Sequence, residues 1–271
     1  MIFPDKLGWV IWMICTFNVA AKRSKSSNSK IGGNQCSGLP SWADLRKALC
    51  LATMDDEECT ETPDHGGFNL HMWATLVDRD GVVCEVAFTG NHRGDQWPGS
   101  RVISAQKANT ANAFSLPGFA LSSANLWEAT RDQGNLADLV ESNPVDTKVA
   151  YSGPSQHYGK FNDPMKGQKI GGVNIFGGGL ALYDVDDDDK PVLVGGLGVS
   201  GDTSCEDHNI AWKMRETLVL DSVPGGPTTA FALGGERGDE LIFNDVPNTF
   251  GFGHPHCHQD EDGLGYIKLT M

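Results

Sequence analysis

Two glycine-bearing β runs near the middle of the chain restrict its fold more than any other feature. Residues 170–184 read IGGVNIFGGGLALYD and residues 191–202 read PVLVGGLGVSGD, joined by the acidic turn Asp186–Lys190. Their glycines lie within strand-like stretches rather than between them. A strand glycine has no side chain to pack and marks a bulge or the close approach of another backbone. A ligand lying against the sheet and a helix packed tightly on it satisfy that requirement equally. A second hairpin signal stands upstream in MWATLVDRDGVVCEVAFTG, where Trp73–Val77 and Val82–Phe88 flank Asp80-Gly81, a strong turn pair.

Helical patterns alternate with these runs. Leu39–Ala52 places Trp42, Leu45 and Leu49 near helical spacing, with Pro40 and Ser41 suited to a start. Ser104–Phe114 is alanine-rich, with Ser104 as its expected cap and Pro117-Gly118 as its stop. A short helix is expected near Asn125–Thr130. After Ser200 the run CEDHNIAWKMRETLVL is amphipathic, and Ser204 with Asp207 resembles a capping box. Hairpins with interspersed helices predict an α+β class, an antiparallel β-sheet flanked by helices in a single domain. No internal repeat or linker divides the chain. Residues 119–165 read as a long insertion, and the Pro/Gly-rich residues 222–271 as a C-terminal extension wrapped outside the domain.

The N-terminus bears on the compartment. Lys6 precedes an apolar run from Leu7 to Phe17, and Val19-Ala20-Ala21 fits a small-residue cleavage site, so residues 1–21 read as a secretory signal peptide. The run is short for a bilayer span, which predicts no stable membrane insertion after cleavage and a secreted or periplasmic protein. Residues 22–35 read as a disordered tail, leaving 36–271 as the domain. Loss of Cys15 leaves six cysteines, Cys36, Cys50, Cys59, Cys84, Cys205 and Cys257. Six allow 15 disulfide connectivities; a Cys205–Cys257 bridge is favoured, with buried free thiols as the alternative. The 21 Lys+Arg against 35 Asp+Glu leave a net charge of −14, which argues against a nucleic-acid partner because phosphate binding needs clustered cations.

Several motifs are absent: a nucleophile elbow, a P-loop, an HExxH helix and a dinucleotide fingerprint. The step Val199–Ser204 could present helix amides to a carboxylate or propionate. Asp202, Glu206 and Asp207 oppose that by placing negative charge at the same end, where capping or a cation is the other reading. His254, His256 and His258 alternate around Cys257 and, with His208, are the candidate metal ligands, since imidazole suits iron, copper and zinc. The competing readings are an exposed tail and a satisfied structural histidine. Asp184–Asp188 opens like a calcium loop but lacks its later glycine and glutamate, and reads as a solvated turn.

Taken in order, the segments ATLVDRDGVVCEVAFTG, VISAQKANTANAF, GGVNIFGGGLALYD and GLGVSGDTSCEDHNIAWKMR resemble the GlcG/HbpS-like haem-binding family, also described as haem-degrading. The resemblance runs from about Cys36 to Leu220, and the GFGHPHC tail is similar to that of longer members. It implies a profilin-like layering of sheet and helices and a homo-oligomer, often exported, that binds haem or senses redox state. The same domain occurs fused to cobalamin adenosyltransferases as an accessory module. By position, the family's ligand-binding motifs fall on Lys107 and Thr110, on Gly177, Gly178 and Gly179, and on Ser200, Gly201, Asp202 and Asp207, with Glu206 beside Asp207. The insertion and tail depart from the shorter members, and no agreed axial iron ligand maps onto this chain.

Two functional readings follow. The first is a secreted oligomeric haem- or tetrapyrrole-binding protein, a scavenger or redox-sensor component with haem as its cofactor. The second is an enzyme acting on a small metabolite or degrading haem, with acid–base groups near Lys107, Asp202 and His208. No nucleophile is paired with a base in the sequence, so binding without turnover is preferred. A purely structural or interaction module is the third alternative.

Overall fold

The computed structural model describes residues 36–230, 237–247 and 249–257. The expected leader at 1–21, the tail at 22–35 and His258 lie outside the described residues.

The domain is built on four antiparallel strands, β1 (Trp73–Asp78), β2 (Val83–Phe88), β3 (Gly179–Val185) and β4 (Pro191–Ser200), in the order β2-β1-β4-β3. Helices α1 (Trp42–Met54) and α4 (Ser204–Thr217) cover one face, α2 (Ser100–Phe114) covers the other, and the short α3 (Thr147–Ala150) lies within the insertion. Successive side chains of a strand point to opposite faces, and β1 divides accordingly. Ala74 and Leu76 join Leu45, Leu49, Leu180, Leu197, Ile210 and Met214 beneath α1 and α4. Trp73 and Val77 join Val86, Val102, Ala105 and Ala108 beneath α2. Burial on both faces explains why β1 is apolar almost throughout instead of alternating. The class is α+β, as the hairpin pattern implies.

The glycines of β4 set how closely α2 packs. A Cβ on Gly198 would lie 1.9 Å from the Ser104 carbonyl oxygen and 2.5 Å from the Ala108 nitrogen. One on Gly196 would lie 2.3 Å from the Ala108 carbonyl oxygen, and one on Gly179 2.5 Å from that of Lys107. These three glycines accommodate helix backbone rather than a ligand.

Local chemistry moves several expected boundaries. Helix α1 begins after Ser41, which forms a reciprocal capping box with Asp44. Helix α2 begins four residues before the expected cap, because the chain is already helical at Gly99, whose carbonyl accepts from Val102 and Ile103 N–H groups. Ser104 is therefore interior; its hydroxyl donates to the Arg101 carbonyl at 2.8 Å and lies 2.7 Å from Thr75 Oγ1. Helix α4 is capped by Thr203, whose hydroxyl accepts the Glu206 N–H, rather than by a Ser204–Asp207 box. Residues 170–178 lie outside the regular strand, with Gly171, Gly172 and Gly178 at positive φ. The stretch near Asn125–Thr130 forms only a 3-10 turn, Ala124–Leu126.

Three disulfides staple this frame: Cys36–Cys84, Cys50–Cys59 and Cys205–Cys257. Two of them close separations of 48 and 52 residues, where restricting the unfolded chain is worth roughly 2–4 kcal/mol each. The described part of the C-terminal segment is also held by charge. Arg215 and Asp239, both fully buried, pair through two hydrogen bonds, and Glu128 accepts from Thr249 Oγ1 and the Gly253 N–H. Among the described residues, no helix is long and apolar enough to cross a membrane.

Gly198→Ala forces a methyl group into the α2 backbone and is expected to destabilise the domain by about 1–3 kcal/mol or more. Gly118, which has nothing within 4 Å of a built Cβ, should accept alanine within about 0.5 kcal/mol. Urea denaturation of both variants measures the difference, and equal midpoints would contradict the packing argument.

Candidate functional site

Helix α2 and the first turn of α4 meet at the end of the glycine strands, bringing most of the motif residues together. Lys107, carried by α2, donates to the Val199 carbonyl at 3.0 Å and to Asp207 Oδ2 at 2.6 Å. The other Asp207 oxygen accepts the Asp202 N–H at 2.9 Å. Asp202 in turn accepts from Phe68 N–H at 2.9 Å, Leu70 N–H at 3.3 Å and Thr203 N–H at 2.7 Å, so one carboxylate organises the loop before β1. The Gly201 carbonyl accepts from Gln96 Nε2 at 2.6 Å, and Ser200 ends β4 opposite Trp73.

The glycine loop closes the junction from the other side. Gly177 N–H donates to Ser204 Oγ at 2.6 Å, Gly179 N–H donates to Ser123 Oγ at 2.9 Å, and the Gly178 carbonyl accepts from Val199 N–H at 2.8 Å. Thr110 donates to the Gln106 carbonyl and accepts the Asn174 N–H, tying α2 to this loop. Lys107 and Asp207 are a buried ion pair. Burial pushes the Asp207 carboxyl up to about 6 and lowers the Lys107 ammonium, each against the attraction of its partner.

The histidines separate. His208 is 3% exposed, and among the described residues neither ring nitrogen has a hydrogen-bond partner; burial drives it down to about 3. His254 is also enclosed and burial holds it at about 4. Its Nδ1–H donates to the Pro255 carbonyl at 2.7 Å, while Nε2 accepts from Ser204 Oγ at 2.7 Å. Ser204 and His254 thus form a hydroxyl–imidazole pair, but an imidazole held at about 4 is a weak base near neutrality. His256 stacks on Phe243 at 4.1 Å and lies 3.1 Å from Asp245.

Two cavities lie elsewhere, and none of the motif residues lines either. A cleft of about 490 Å³ has Val140, Val173, Ile175 and Phe176 on its apolar side and Arg131, Asp132 and Glu141 at its charged rim. A smaller cavity of about 230 Å³ lies beside Trp73 and Tyr158. Its Arg101 is committed to a buried pair with Asp163 and sits 3.6 Å over the Tyr158 ring. The larger cleft holds no imidazole, thiol, thioether or phenol among its lining residues, the donors that ordinarily hold haem iron. His208 and His254 are enclosed outside it. The lining of this cleft therefore offers no histidine to haem iron. Sequence reasoning missed Arg131 and this cleft, which form only when the 119–165 insertion folds against residues 173–176.

The fold and its packed junction define an α+β sheet domain with helices on both faces. Residues 65–216, more than half of the chain, match the family described as haem degrading protein HbpS-like, and the chain belongs to that family. Similar solved structures include a PduOC:heme complex (19% identity, TM-score 0.41, covering 64% of this chain and 88% of that one). Another is the Klebsiella pneumoniae protein ORFY (16% identity, TM-score 0.42, covering 72% and 98%). No curated protein matches the chain.

Acid should unfold this junction through its histidines. His208 and His254, depressed below 6.5, contribute stability above that value and lose it as pH falls toward 4. Asp207, raised from 3.8, works oppositely, stabilising below 3.8 and losing that effect as pH rises through about 6. At His65, burial is outweighed by Glu206 and the Leu70 carbonyl, so its net shift is upward and its contribution also fades as pH rises. The two histidine depressions exceed the Asp207 shift, and each pH unit is worth about 1.4 kcal/mol. The denaturation midpoint is expected to fall between pH 6.5 and 4, less steeply in His208→Asn; a flat wild-type profile would contradict this assignment.

Proposed function

We propose that the protein is a non-catalytic, exported carrier of a planar, carboxylate-bearing ligand of the tetrapyrrole class, held in the cleft between the insertion and residues 173–176. The carrying observation is the cleft itself, whose volume of about 490 Å³ falls in the range of small-molecule sites. Its apolar wall suits a macrocycle face. Arg131, which also lies 4.6 Å over the Trp127 ring, suits a propionate, while Asp132 and Glu141 disfavour a second anion at the rim. Membership in a haem-degrading family supports the ligand class.

The motif residues Lys107, Thr110, Gly177–Gly179, Ser200–Asp202 and Asp207 then act as the frame that positions the cleft wall, and the ligand is held without iron coordination from its lining. The alternative of turnover is disfavoured because Lys107, Asp207 and His208 are enclosed, away from either cavity. Three disulfides support an oxidising compartment, consistent with residues 1–21 being a cleaved leader. Assembly into a homo-oligomer is retained from the family resemblance.

Parallel titrations with haemin and iron-free protoporphyrin test this reading. Both should bind, with affinities within about tenfold, a 1.4 kcal/mol window. Arg131→Glu should weaken both by roughly tenfold, the scale of one lost charged contact, and His208→Ala should change neither. Failure of both porphyrins to bind, or haemin binding that depends on His208, would overturn it.

A further inference from the structure

The Cys205–Cys257 bridge joins one spacing written in two directions. Helix α4 carries Cys205-x2-His208, and the C-terminal segment carries His254-x2-Cys257. One ligand atom from each of Cys205, His254 and Cys257 lies within 4.8 Å of the others. The His254 tautomer is already suited to coordination. Its Nδ1–H is spent on the Pro255 carbonyl, leaving the Nε2 lone pair, which takes the Ser204 hydroxyl proton. A backbone carbonyl holding the far nitrogen is the usual outer contact of a metal-bound imidazole.

His208, the other imidazole of this end of α4, stands outside that group of ligand atoms. It lies three residues after Cys205 on the same helix, where positions i and i+3 are neighbours. Both of its buried nitrogens lack a hydrogen-bond partner among the described residues, and an unsatisfied buried polar group calls for a physical reason. The other sulfur-bearing group, Cys36, Asp78 and Cys84, differs in this respect. Asp78 there accepts the N–H groups of Cys36, Asp80 and Val82 and is used by the turn.

We propose that reduction of Cys205–Cys257 opens a binding site for a thiophilic divalent cation, formed by the two thiolates and His254. Two sulfur donors and one nitrogen, with water in the fourth position, suit tetrahedral Zn²⁺. With a phosphine reductant, the S–S bond breaks, two S–H bonds form, and water supplies the oxygen of the phosphine oxide. Metal binding then displaces the two thiol protons, so affinity rises with pH. The oxidised bridge and the metal exclude each other, making this end of α4 a redox-gated site.

Cobalt serves as the spectroscopic probe and zinc as its competitor, on the full chain in oxidised and phosphine-reduced forms. The reduced chain should develop thiolate–cobalt charge-transfer and tetrahedral bands that zinc abolishes. These bands should be missing from the oxidised chain and from Cys205→Ser/Cys257→Ser. His254→Ala should weaken binding by about tenfold or more, and His208→Ala by less. In the wild-type chain, which requires no variant to fold, zinc should protect Cys205 and Cys257 from alkylation in a mass map. No cobalt band in the reduced chain, the same band in the double serine variant, or unprotected Cys205 and Cys257 would overturn the site. Unchanged affinity in His254→Ala would also overturn it.

Discussion

The structure depends on a contact between backbones, α2 lying directly against the glycines of β3 and β4. With a methyl group at Gly198 held 1.9 Å from the Ser104 carbonyl, the helix would have to lift off the sheet. That lift would withdraw Lys107 from the Val199 carbonyl and from Asp207. Asp207 fixes the Asp202 N–H, and Asp202 fixes the loop at Phe68–Leu70. Close packing therefore governs polar order across both helical layers, through one lysine that reaches from α2 to α4. Removing Lys107 alone would leave a buried carboxylate without its counter-charge, the costly way to break such a pair.

The same contact explains which parts of the fold were legible in the sequence. The Trp73–Phe88 hairpin is local: its Asp80-Gly81 turn and β-rich flanks are written within a few residues, and the strands form at those positions. The start of α1 is equally local, because Ser41 and Asp44 cap each other. The start of α2 and the irregular course of 170–178 are set by neighbours far along the chain. Gly177 is held by Ser204, and Ser104 is drawn against Thr75. Strand glycines signal close approach, but sequence spacing does not say whether a ligand or a helix does the approaching. At Gly179, Gly196 and Gly198 the neighbour is α2.

The candidate site divides along similar lines. The motif residues were legible because they occupy consecutive positions on two helices and a loop, and they do converge on one junction. What they form there is a network of satisfied hydrogen bonds, which rigidifies a frame more readily than it receives a ligand. The larger cleft depends on distant partners instead. Residues 130–141 of the insertion meet 173–176, and each half alone is an unremarkable loop. The proposed ligand contacts on the insertion accord with binding residues being concentrated on loops over rigid elements.

His208 and His254 show why residue type alone is a poor guide to ligation. Both are imidazoles beside glycine strands, and both are enclosed and driven neutral by burial. Neutrality is what a metal ligand requires, but neither side chain lines a cavity wide enough for a macrocycle. A bare cation needs no such space; it needs donor atoms already gathered, and the sulfurs of Cys205 and Cys257 with His254 meet that condition within 4.8 Å. The smaller ligand suits the tighter site, and the planar one suits the cleft beside Arg131. On these two proposals, one domain separates two ligand chemistries by the space each demands.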